Sequence, residues 1–73
     1  MILTDGVHLV SDESVTELHR YADRVMGFKR HWFRVGRGHP HYDLTTETAV
    51  AHALRFGATR VSKRQLVKWM ARR

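Results

Sequence analysis

His39-Pro40-His41-Tyr42-Asp43 places two imidazoles and a carboxylate at alternate positions. A proline biases the residue before it towards extended backbone. In an extended run alternate side chains share a face, so His39, His41 and Asp43 point one way and Tyr42 and Leu44 the other. Neutral imidazoles and a carboxylate on one face form a ligand set for a divalent ion such as zinc or manganese, with a position left for water. His8, set between Val7 and Leu9, is a further candidate ligand. Without a metal, His41 and Asp43 make an acid–base pair, but no nucleophile accompanies them. The same residues have structural uses. Asp43 can serve a helix start, Tyr42 and Leu44 can staple it, His41 can donate to a backbone carbonyl, and His8 can be a hydrogen-bonded sheet residue.

A second chemistry comes from charge. Thirteen lysines and arginines face seven acids, a net charge of +6. The acids lie mostly up to Asp23 and the bases mostly from Arg24 onwards. A basic second half suits an anionic partner, either nucleic acid or another polyanion. Arg30, Arg34, Arg37, Lys63, Arg64 and Lys68 are the candidate phosphate contacts. Trp32, interleaved with bases, is positioned to stack on an unpaired base, although aromatics in so small a chain also serve as core.

Three helices are expected to position these groups. Ser11-Asp12-Glu13-Ser14 offers N-terminal caps. Val15, Leu18, Ala22, Val25 and Met26 follow at three- and four-residue steps, and Gly27 is the stop. Thr45-Thr46-Glu47 opens the second helix, with Ala49, Val50, Ala53 and Leu54 inward and Gly57 at its end. Ser62 caps the third, Lys63 to Arg72. Ile2-Leu3 and Val7–Val10 flank an Asp5-Gly6 turn and read as strand. Trp32–Val35 and Ala58–Val61 read as further short strands, and that extended second segment argues against a helix-turn-helix. The expectation is one α+β domain over residues 1–73, with three helices packed on a small sheet of two to four short strands. Its core is expected to hold Leu9, Val15, Leu18, Ala22, Val25, Phe33, Val50, Leu54, Leu66 and Met70.

Length and composition set outer limits. A 73-residue chain buries only about 60% of its unfolded surface, which leaves room for a partner or a second copy to help hold it. No cysteine means no disulfide and no thiolate zinc site. No apolar run approaches the ~20 residues that span a bilayer. Met1–Val10 lacks the cationic start of a signal peptide, and a small unstapled domain fits the cytoplasm best.

The His-x-His-x-Asp spacing is similar to that of binuclear hydrolases of the metallo-β-lactamase fold. Leu44 stands where those enzymes carry another histidine, and the chain is far shorter than their fold. A broader pattern covers Val7 to Gln65: His8-Leu9-Val10-Ser11-Asp12, Glu17-Leu18-His19, Tyr21-Ala22, Trp32, His41-Tyr42-Asp43-Leu44, Ala53 and Gly57-Ala58. It resembles a small bacterial and phage family, domain of unknown function 4031. Members begin with a strand carrying an acidic pair, where this chain has Met1–Gly6 with Asp5 alone. They carry bases after His-Tyr-Asp, where this chain has Thr46-Glu47-Thr48. The resemblance implies joint weight on His8, His19, Trp32, His41, Tyr42 and Asp43 but no activity. Phage membership implies a further class, a factor that binds a host protein. Three functions are therefore carried forward: a non-enzymatic polyanion-binding module, a metal-dependent phosphoesterase or nuclease, and a protein-interaction factor.

Overall fold

Asp5 and Gly6 fold the first segment back on itself. The Asp5 Oδ1 accepts from the backbone N–H groups of Val7 (2.9 Å) and His8 (2.8 Å), an aspartate-centred turn. Gly6 sits at φ +96°, a left-handed conformation that side chains with a Cβ resist. The product is an antiparallel pair, β1 (Ile2–Thr4) and β2 (His8–Ser11), with Leu3 opposite Val10. The structure, a computed structural model, describes residues 1–35 and 39–71. Within it β3 (Tyr42–Asp43) joins β2 antiparallel and β4 (Thr59–Arg60) joins β1 in parallel, so the sheet runs β3-β2-β1-β4. Three helices and this mixed sheet make the expected α+β domain.

Each helix starts on a short polar side chain. The Ser14 hydroxyl accepts from Glu17 N–H at 3.0 Å and opens α1 (Val15–Arg24). The Thr46 hydroxyl does the same for Ala49 N–H at the head of α2 (Glu47–Arg55). Ser62 and Gln65 exchange bonds across the start of α3 (Lys63–Ala71), a reciprocal cap. Gly27 and Gly57, at φ +70° and +108°, let the chain leave α1 and α2. Ser14→Ala should lower unfolding free energy by about 1 kcal/mol, read as a shifted urea midpoint with an unchanged slope.

Leu9, Leu18, Ala22, Tyr42, Leu44, Ala53, Ala58 and Ile2 form the main core. The register puts Leu9 opposite Tyr42, and alternation carries both to the face covered by that core. Val10 points to the opposite face and is fully buried there, so the sheet is covered on that side as well. Leu66 is the buried anchor of α3.

Several expectations are corrected. Val15 is 40% exposed, because α1 turns its Leu18–Ala22 side to the sheet. Val25, Phe33, Val50 and Leu54 are half-buried, and Phe33 and Val50 pack against the core from its margin. The side chain of Met70 lies outside what the structure describes. The strand expected over Trp32–Val35 is absent. Arg30–Trp32 form a 3-10 turn, and only Arg34 meets the sheet, through paired backbone bonds with His41 of 2.8 and 2.9 Å. The reason is aromatic packing. Phe28 and Trp32 meet edge to face at 5.6 Å, and Phe28 and Phe33 both lie against Tyr42, a spacing that suits a turn better than a pleat.

Candidate functional site

Strand register assembles a polar cluster at the β2–β3 edge. His8 stands directly opposite Asp43, and Arg34 opposite His41. Alternation about Tyr42 puts His41 and Asp43 on one face, away from the main core. One ligand-type atom from each of His8, His41 and Asp43 lies within 4.8 Å of the other two. His41 Nε2 is 3.3 Å from Asp43 Oδ1, and the two imidazoles meet edge to face at 5.2 Å. The three side chains are 29%, 18% and 45% exposed, so the cluster is reachable from solvent.

Each imidazole is held from behind. His8 Nδ1 donates to Asp5 Oδ2 at 3.2 Å, and His41 Nδ1 donates to the His39 carbonyl at 2.9 Å. Neither acceptor can donate, so both protons sit on Nδ1 and both Nε2 atoms are free for a partner. Burial pushes the Asp5 carboxyl up. The backbone N–H groups of His8 and Val7 and the His8 ring outweigh it, and the net shift is below the usual carboxylate range.

Of the expected ligands His39, His41, Asp43 and His8, the structure brings His8, His41 and Asp43 together and leaves His39 apart. The chain bends at His39, whose ring lies 4.4 Å from that of Trp69 and whose Nδ1 donates to the Pro40 carbonyl. His19 is separate too. It projects from α1 to the other side of β3, where its Nδ1 and the Tyr42 hydroxyl share a hydrogen bond of 2.8 Å and Phe33 packs at 4.5 Å. Burial, then the charge of Arg30, lowers the His19 pKa below 6.5. The unfolded chain therefore binds the proton more readily. Stability is fully present above pH 6.5 and declines as pH falls from there towards the lower folded value. His19→Gln should remove that part of the decline in a pH series of urea midpoints.

Beside the cluster lies a shallow cleft of about 230 Å³ lined by Phe28, Trp32, Arg34, Asp43 and Thr45. Phe28 also lines a second cleft of about 260 Å³, with His19, Asp23, Arg30 and Tyr42. Trp32 is 44% exposed. Arg30 and Arg34 are exposed at these clefts, and Lys63, Arg64 and Lys68 are exposed on α3. Arg37 lies outside the described residues.

The model of a family described as "Protein of unknown function (DUF4031)" matches residues 5–73. The chain belongs to that family. No curated protein and no solved structure matches it. All the residues of the cluster and both clefts fall inside the DUF4031 match. The match opens at Asp5, the residue that both turns the first hairpin and holds His8. Four contributors are not among the sequence-predicted site residues: Asp5 behind His8, and Asp23, Phe28 and Thr45 in the cleft walls. An Asp-Gly turn before a histidine is a local signal for the first, whereas nothing local marks Thr45.

Proposed function

We propose that this chain is a non-enzymatic binding module for nucleic acid or another phosphate-rich polyanion. One observation carries the reading: no described lysine or arginine forms an ion pair with a described carboxylate. Five of the seven acids are engaged elsewhere. Asp5 holds His8, Asp43 faces His41, and Asp12, Glu13 and Glu17 surround the Met1 amine. Cations left without partners raise the local positive potential and draw in anions. The half-exposed Trp32 beside Arg34 supplies an apolar face next to one of these charges, a pairing suited to an unpaired base and its phosphate.

The test is fluorescence anisotropy with a labelled single-stranded oligonucleotide of mixed sequence and, in parallel, with heparin, both at low salt. Binding to both is expected. Trp32→Ala should weaken the oligonucleotide about 5- to 150-fold, the equivalent of about 1–3 kcal/mol per stacked base. It should leave heparin, which has no bases, nearly unchanged. No measurable affinity for either polyanion at low salt would sink the proposal.

A further inference from the structure

We infer that His8, His41 and Asp43 bind one zinc-class divalent ion, with a coordination position left open beside the Trp32–Arg34 cleft. The inference stands on the cluster's geometry and is independent of polyanion binding. The His39 carbonyl engages His41 Nδ1, and His41 Nε2 lies 3.3 Å from Asp43 Oδ1. A cation between the two atoms holds them at that distance. A second ring proton is one answer, and a metal ion is the other.

Three features favour the metal. In tetrahedral coordination with bonds of about 2.0–2.2 Å, neighbouring ligand atoms sit about 3.3–3.5 Å apart. His41 Nε2 and Asp43 Oδ1 already have that separation. The His8 ligand atom, within 4.8 Å of both, closes the rest by a modest rotation of an incompletely buried side chain. Secondly, a bare proton shared by His41 and Asp43 needs no third group, yet His8 is brought in by β-sheet register and faces the same point. Thirdly, each imidazole has an acceptor behind its Nδ1–H, the Asp5 carboxylate for His8 and the His39 carbonyl for His41. Such an acceptor fixes the tautomer that presents Nε2 and makes it a better donor to metal.

The donor set identifies the ion class. Two imidazole nitrogens and one carboxylate oxygen suit zinc and its first-row neighbours better than magnesium or calcium, which prefer all-oxygen shells. Three protein ligands leave the fourth position to water or an anionic oxygen. Asp43 also lines the Trp32–Arg34 cleft, so that position is next to the arginine.

The experiment uses the full chain without a histidine tag and zinc chloride alone. Equilibrium dialysis with metal analysis should give one zinc per chain. In 15N-histidine spectra of the wild type, zinc should move the Nε2 resonances of His8 and His41 and leave their Nδ1 protonated. His41→Gln and Asp43→Asn should each weaken binding at least about 10-fold, while His52→Gln, outside the cluster, leaves it unchanged. Circular dichroism shows whether each variant is folded, and the wild-type spectra decide the matter where one is not. The inference is overturned by less than one zinc per chain at saturation. Shifts confined to His19, His31, His39 or His52 also overturn it, as does zinc uptake that survives both substitutions in folded protein.

Discussion

Tyr42→Ala should leave most of the chain unfolded at room temperature. Tyr42 is 1% exposed, sits opposite Leu9 in the sheet, and packs its ring against Phe28 and Phe33. Removing a buried aromatic costs about 3–5 kcal/mol, and a domain of this size rarely has more than about 3–5 kcal/mol to lose. The loss also breaks a join between α1 and the sheet, because the Tyr42 hydroxyl is hydrogen-bonded to His19 on that helix. Far-UV circular dichroism and a urea titration read the effect. Tyr42→Phe keeps the ring and loses only the hydroxyl bond, for about 1 kcal/mol. A Tyr42→Ala protein with near-wild-type stability would show that the core does not centre on this residue.

Affinity for single-stranded nucleic acid should fall about 50-fold between 50 and 200 mM salt. The figure assumes about four phosphate contacts and a logarithmic slope near −0.7 per contact for a single strand. Arg30 and Arg34 at the two clefts and the bases of α3 supply more cations than that requires. Replacing Arg30 and Arg34 together by glutamine should reduce the slope by about 1.4, because each contact removed releases fewer counterions. Trp32→Ala acts differently, since stacking involves no ion release: affinity falls while the slope is retained. A flat salt response would mean that these unpaired cations do not touch the ligand.

The local parts of the fold were legible. Ser14, Thr46 and Ser62 were readable as helix starts because capping needs only a short polar side chain and the next three residues. Gly27 and Gly57 were readable as stops, and Asp5-Gly6 as a turn, for similar reasons of short range. The pairing of distant segments was not legible. Tyr42 lies in a polar run and reads as a staple, yet its pairing with Leu9 makes it the largest fully buried side chain among the described residues. The same register brings His8 to Asp43, a meeting that no spacing within either strand encodes. His39 looked like a ligand by alternation from a proline, but the bend there gave its ring to Trp69. Trp32 and Phe33 carry strand propensity and are used in a turn, since packing around Tyr42 outweighs a preference of at most ~1 kcal/mol.

The sheet order has one further effect. Its outer members, β3 and β4, are two residues long each, while the longer β1 and β2 lie enclosed between them. Long flat borders invite strands from neighbouring molecules and seed fibrils, and very short ones deny them a template. At high protein concentration this topology should resist amyloid growth, and a lengthened β3 would put that protection at risk.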